Sequence, residues 1–293
     1  MTTFVQQVVD GLSSGSIYAA LALALVLVYR ATGLVNFAQA QMGVVSAYVA
    51  WALTQAGLPA GLAVACAVVA SLAMGAAVER GLIRRFERSD PLVAIVATVA
   101  VLICLNGLVS LVWGADLKAF PDLFPSTTYR AGGVHVTAAE IGNVAVLLAV
   151  VAVLWVLFQH TRLGLALRAV AENPESSALS GLPVGLLLMA GWALAALVGG
   201  LAGCLIAPKV SLQPNMMDGI LVYALAAAVL GGLDSPLGAV LAAWIIGVVE
   251  NLAGTYVGFI GNDLKIAVPL VLMAVVLLVR PQGLFGRPEV QRV

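Results

Sequence analysis

The sequence predicts an all-α membrane protein, a polytopic bundle of transmembrane helices, and three observations carry that prediction. Hydrophobic residues make up 62% of the 293-residue chain and charged residues only 10%. A water-soluble domain carries roughly a quarter charged residues, so water is not the solvent for most of this surface. The apolar residues fall in long blocks rather than one-sided stripes, and a helix of about 20 apolar residues crosses a bilayer core. The formal net charge is zero, which offers no electrostatic footprint for a nucleic-acid partner.

Taken in order, the blocks read as one membrane domain over 1–293. Met1 to Asp10 lacks the basic flank of a secretory signal, and no small-residue cleavage site follows the run Ile17–Tyr29, so 9–29 reads as a retained first span. Further spans are predicted over 37–55, 60–79, 92–113, 139–158, 185–207 and 264–280. The region 219–253 is apolar but interrupted by Gly231, Gly232, Asp234, Ser235 and Pro236. Its halves, 219–231 and 237–253, are short for full crossings, which predicts a broken or re-entrant pair buried in protein or lining a cavity. The total is about 8 spans. Gly199 and Gly203 form a GxxxG pair of the kind that lets helix backbones approach closely. No internal repeat is visible.

Basic residues in short loops set the orientation. Arg80, Arg84, Arg85 and Arg88 follow the third span, Arg162 and Arg168 follow the fifth with His160, and Arg280, Arg287 and Arg292 lie in the C-terminal tail. All three groups are expected in the cytoplasm, with the C-terminus there too. The loop 114–138 carries only Lys118 and Arg130 and is expected outside. Counting back places the N-terminus outside.

Several absences narrow the chemistry. A phosphate cradle needs glycines followed by Lys and then Ser or Thr. The three lysines, Lys118, Lys209 and Lys265, are followed by Ala119, Val210 and Ile266. The chain therefore has no P-loop, and no cofactor of its own is expected. His135 and His160 fall in loops on opposite sides, and Cys66, Cys104 and Cys204 lie in apolar blocks at no zinc spacing. Neither HExxH nor GxSxG is present, so the chain does not read as an enzyme. Asp10, Glu140, Asp218 and Glu250 lie at or near span ends, where none bears the roughly 2.5–3.5 kcal/mol cost of a charge at the bilayer centre. That scarcity argues against an ion-driven secondary transporter, although Na⁺ can bind carbonyls and amides alone.

The loop 160–183 is the most informative stretch. Arg162 to Ala171 reads as a helix continuing from the fifth span. Asn173 then suits an N-cap, Pro174 the first helical position and Glu175 the first turn, while Gly181 and Pro183 stop the short helix. The short helix exposes Ser176, Ser177, Ala178 and Ser180 with Leu179 among them, a knob suited to a groove on a partner protein. An ordinary capped loop between membrane helices would read the same way from these residues alone.

Four segments together resemble one family. They are GSIYAALALALVLVYRATGLVNFAQAQMG, RAVAENPESSALSGL, AVLGGLDSPLGAVLAAWIIGVVENL and RPQGLFGRPEV, in that order and nearly end to end. The chain resembles the high-affinity branched-chain amino acid permeases of ABC importers, the LivH type. The resemblance implies an ABC importer permease fold in the bacterial inner membrane. It implies a second homologous permease, two ATP-binding cassette ATPase subunits and a periplasmic solute-binding protein as partners, with ATP bound by the ATPases. It further implies that the loop 160–183 docks into the ATPase, with Arg168, Ala169, Glu172, Ala178 and Gly181 matching the family pattern beside the capping residues Asn173 and Pro174. Asn36 and Phe37 match the family's Asn-Phe-Ala motif. Gln39, Ala40 and Gln41 depart from the His or Gln, Gly and Glu that often follow it, so two neutral amides stand where relatives can carry charge.

Leucine, isoleucine and valine are zwitterions with apolar side chains. A route for them needs an apolar wall with a few hydrogen-bonding groups. Asn36, Gln39, Gln41, Asn106, Glu250 and Asn251 are the candidates, and for each one singly a bridge between helices, where a polar pair contributes about 0.6 kcal/mol, is the simpler explanation. The residues leave open another amino acid, urea or a short amide as solute.

Overall fold

The computed structural model describes residues 2–86, 90–261 and 264–286. Arg88, Arg287 and Arg292 of the expected cytoplasmic set lie outside them. The apolar blocks form helices α1 (Thr2–Thr32), α2 (Gln39–Gln55), α3 (Ala60–Gly81), α4 (Pro91–Trp113) and α5 (Ala138–His160). Two short helices follow, α6 (Arg162–Glu172) and α7 (Pro174–Leu179). The chain then returns through α8 (Val184–Val210), α9 (Asp218–Gly231), α10 (Pro236–Tyr256) and α11 (Ala267–Val279).

Local chemistry sets the starts. Asp90 accepts a hydrogen bond from the Leu92 amide at 2.9 Å ahead of Pro91, and Ser235 accepts from Gly238 at 3.1 Å ahead of Pro236. Thr137 and Glu140 form a reciprocal capping box at the head of α5. Outward faces of α4, α5 and α11 expose Leu111, Val153 and Leu278, as lipid solvation requires, whereas α1 is buried from Gly11 to Val28 with few interruptions. Glycine lets the backbones meet. A Cβ on Gly11 would stand 2.6 Å from Val248 of α10, and one on Gly43 would stand 2.7 Å from the Gly199 carbonyl of α8. Gly203 also packs on Gly43, so the GxxxG pair is a helix contact with α2.

Three features differ from the expectation. The loop 114–138 holds a two-stranded antiparallel hairpin, β1 (Thr128–Ala131) and β2 (Val134–Thr137), turned by Gly132 and Gly133 at φ +58° and +85°. The Gly-Gly between β-branched alternation is a hairpin signal. The helix from Arg162 does not continue α5. Thr161 is extended and caps α6 by accepting from Gly164, and Gly164 is seated on the Leu157 carbonyl and Phe158. The region 219–253 is a helical hairpin whose second arm, at 21 residues, is long enough to cross by itself, while α9 is a 14-residue half. Gly232 turns between the arms at φ +102°, and a Cβ there would stand 2.6 Å from the Gly286 backbone nitrogen.

The tertiary arrangement also contains a repeat. α2 packs on α3, α4 and α8, whereas α9 packs on α10, α11 and α1. α3 packs on α8 as α10 packs on α1. Exchanging α1–α4 with α8–α11 therefore reproduces the neighbour pattern. α1 and α8 run antiparallel, with Ser13 beside Lys209 and Ala31 beside Gly191, so the two halves are inverted relative to each other.

Candidate functional site

Two regions carry the expected functional residues. The first is the end of the bundle that bears α6 and α7. α6 buries Leu167 and Val170 against Leu187 and Leu188 of α8, which fixes the helix across the end of the bundle. Arg168 donates to the Gln159 side chain at 3.2 Å. Asn173 then caps α7 by accepting from the Ser176 amide at 2.9 Å, with Pro174 next. Gly181 takes φ +81°, and the Leu182 amide returns to the Ser177 carbonyl, closing the helix.

Glu172, Asn173, Pro174, Ala178 and Gly181 are exposed, while Arg168 and Ala169 are half-buried. At the tip Leu179 is 91% exposed, more than any other large apolar side chain described. Beside this knob opens a cavity of about 1570 Å³, reached by Arg30, Phe86, Glu172, Asn173, Asp234 and Phe285. Those residues come from five separate loops or helix ends, so all five emerge at one end of the molecule. The hairpin β1–β2 lies at the other, tied to the start of α1 by paired hydrogen bonds between Gln6 and the His135 backbone at 2.8 Å.

The second region is mid-bundle, where two chain reversals meet. Ala31 near the end of α1 lies beside Gly191 of α8, yet Gln39 donates to the Ala195 carbonyl at 2.9 Å. The segment 33–38 thus climbs back into the bundle. From the opposite end α8 runs to Val210, and Ser211 reverses the chain at φ 61°, the only positive φ of a non-glycine described. The Pro214 carbonyl then accepts from Gln41 at 3.3 Å, beside the Gly43 contact with Gly199 and Gly203. Pro214 therefore lies alongside α2 and α8, back inside the bundle rather than beyond the end of α8. Paired backbone hydrogen bonds between Lys118 and Leu212 hold the descending strand.

These reversals sort the candidate residues. Asn36, Gln39 and Gln41 are fully buried and bonded internally: Asn36 donates to Gln39 at 3.0 Å and accepts from the Ala38 amide at 3.0 Å. They hold the turn. Asn106 of α4 is half-buried and reaches Asn215 at 2.9 Å and the Pro214 carbonyl at 3.2 Å. Asn215 and Asp218 stay exposed at this depth, and neither was singled out from the sequence as a route residue. Their signal is weak, because SLQPNMMD reads as an ordinary polar link. Glu250 and Asn251 belong to a separate cluster between α1, α9 and α10. Tyr18 donates to Glu250 at 3.2 Å and stacks on Tyr223 at 4.6 Å, while Asn251 donates back to the Gly247 carbonyl of its own helix. Among the described residues no group of three or more His, Cys, Asp or Glu side chains is placed to hold a metal ion.

Comparison with known proteins bears directly on this arrangement. A family model described as "Branched-chain amino acid transport system / permease component" matches residues 7–278. The chain is 32% identical to the high-affinity branched-chain amino acid transport system permease protein LivH of Escherichia coli, across 99% of this chain and 98% of that one. It is 30% identical to the corresponding protein BraD of Pseudomonas aeruginosa, with the same coverage. A probable branched-chain amino acid permease of Methanocaldococcus jannaschii is 28% identical over 91% of this chain and 87% of its own. A bundle of apolar helices with two re-entrant turns and a capped knob at one end, matched from end to end by these relatives, belongs to the branched-chain amino acid transport permease family.

Proposed function

We propose that this chain is the membrane permease subunit of an ATP-binding-cassette importer that carries branched-chain amino acids across the bacterial inner membrane. The observation that carries the mechanism is α7, a capped helix whose first turn lines a wide cavity at the α6–α7 end and whose Leu179 is exposed. An apolar side chain there, away from the lipid-facing helices, fits a protein groove. The α6–α7 end faces the cytoplasm, with the arginines Arg80, Arg84, Arg85, Arg162 and Arg168, and the ATPase subunits dock on it. The C-terminal segment, packed on the α9–α10 turn, lies on the same side. A soluble binding protein delivers the solute at the hairpin end.

The solute route runs along Asn106, Asn215 and Asp218 rather than through Asn36, Gln39 and Gln41. Exposed polar groups midway through the bundle are poorly matched to hydrocarbon. A second permease chain of the same fold covers them, and the zwitterionic solute passes at the seam. Glu250 holds α10 to α1 through Tyr18, and Asn251 bonds within α10. ATP-driven closure of the ATPases displaces α6–α7 and reorients the helices behind it.

Reconstitution tests the reading. Proteoliposomes holding this chain, its companion permease, the ATPases and the binding protein are expected to accumulate labelled leucine only with internal ATP. Uptake by the purified chain alone, driven by an ion gradient, would overturn it.

A further inference from the structure

One ion pair outside the knob joins the knob's exit to a different helix. Glu79, in the last turn of α3, is fully buried. Arg84, in the 3-10 turn Ile83–Arg85 that follows α3, donates from Nε to Glu79 Oε1 at 3.3 Å. Its Nη2 also donates to the Gly185 carbonyl at 2.5 Å. Gly185 is the second residue of α8, four residues beyond Gly181. A Cβ at 185 would stand 2.5 Å from Nη2, so any larger residue there makes the guanidinium shift. Ile83 is itself fully buried and anchors the turn.

A fork of this kind suits arginine, whose planar donors can hold a carboxylate and a carbonyl at once. Deeper in the bundle the same two helices meet again. Gly75 of α3 lies 2.6 Å, as a virtual Cβ, from the Trp192 carbonyl and the Ala196 side chain of α8. Further along α8, the Ala195 carbonyl accepts from Gln39 at 2.9 Å, which holds the first re-entrant turn. α3 and α8 are thus fastened at their α6–α7 end and again inside, and the fastening leads from the knob to the mid-bundle turn.

We propose that Glu79, Arg84 and Gly185 form a positioning bracket that makes α3 and α8 move as one body when the α6–α7 knob is displaced. The proposal rests on the importer reading above. Without the bracket, displacement of α8's first turn bends the helix start locally and does not reach the turn at Gln39. The bracket therefore governs how much solute moves per ATP, and it touches neither ATP nor solute.

The test uses the complete importer in proteoliposomes, with solute uptake and ATP hydrolysis measured on the same vesicles. Arg84→Ala and Glu79→Gln are expected to keep stimulated ATP hydrolysis within about twofold while solute moved per ATP falls at least about fivefold, the lower end of ordinary coupling between sites. Arg84→Lys is expected to lie between, because an ammonium lacks the fork. Gly185→Ala displaces the guanidinium with every charge kept and is expected to lower the ratio in the same way. A structural role alone would lower yield and thermal stability and leave the ratio unchanged. An unchanged ratio in Arg84→Ala overturns the proposal. Should that variant not assemble, an unchanged ratio in Gly185→Ala overturns it instead. Failure of the underlying reading looks different, since the unmodified importer would then show no ATP-driven uptake at all.

Discussion

Truncation of Leu179 to alanine tests the contact proposed between the knob and the ATPase. The side chain is 91% exposed in the free chain, so the fold loses almost nothing when it is shortened. Docked in a groove it becomes buried, and the change removes three carbons from that interface. At about 0.8 kcal/mol per buried methylene the loss is about 2.4 kcal/mol. Since 1.4 kcal/mol is tenfold in affinity, the ATPase is expected to bind roughly 50-fold more weakly. The assay is a titration of purified ATPase onto the permease pair in lipid nanodiscs. Leu278→Ala is the control, because that side chain is 86% exposed on α11 in a lipid-facing run and is expected to change nothing. Binding by Leu179→Ala within twofold of the unmodified protein, with unfolding temperature unaltered, would refute the docking role of α7.

Other expectations follow from the same geometry. Asn173→Ala removes the cap on the Ser176 amide at 2.9 Å and is expected to cost about 1 kcal/mol locally, seen as several-fold faster amide exchange over 176–181, with Asn173→Asp near normal. Gly181→Val forces a branched side chain to φ +81°, where nothing lies within 4 Å of a Cβ, so the cost is backbone strain of about 1–2 kcal/mol. It is expected to uncouple ATP use from uptake with membrane insertion intact, as is Glu172→Arg, and Gly181→Asn is expected to be milder. In a cysteine-free background, Asn215→Cys is expected to react with a polar thiol reagent and to crosslink to the companion permease. Asn36→Cys, buried behind the turn, is expected to be inert. Tyr18→Phe removes the bond to Glu250 at 3.2 Å and is expected to lower stability by only about 0.6 kcal/mol with uptake retained, which a thermal melt beside a transport assay would check.

Much of the fold is set by local rules. Block length and hydropathy placed α3, α4, α5 and α8 within about three residues, because a bilayer core sets the least length of a crossing helix, whereas α1 starts at Thr2, ahead of the predicted span 9–29. Capping chemistry placed α7, since Asn173, Pro174 and Gly181 act within a few residues of themselves. The family followed from four segments in order along the chain. The break after Gly231 was visible for the same reason, a glycine pair followed by Asp-Ser-Pro, though the full length of α10 was underestimated.

What the tertiary structure alone decided are the features made by residues far apart in sequence. Ser211 has no composition that announces a positive φ, and the return to Pro214 shows only when Gln41, 173 positions away, bonds to it. The inverted halves share a neighbour pattern and no readable sequence repeat, because packing constrains the shape of a helix surface more than the identity of its side chains. The amides Asn36, Gln39 and Gln41 are candidates for a solute route because they are polar in an apolar setting. Only the fold shows that each bonds to a group inside the bundle, with Asn215 and Asp218 left exposed. Arg84 counted in the sequence merely as one basic residue among several. Its pairing with Glu79 and Gly185 depends on the ends of two helices meeting, and a linear pattern does not encode that meeting.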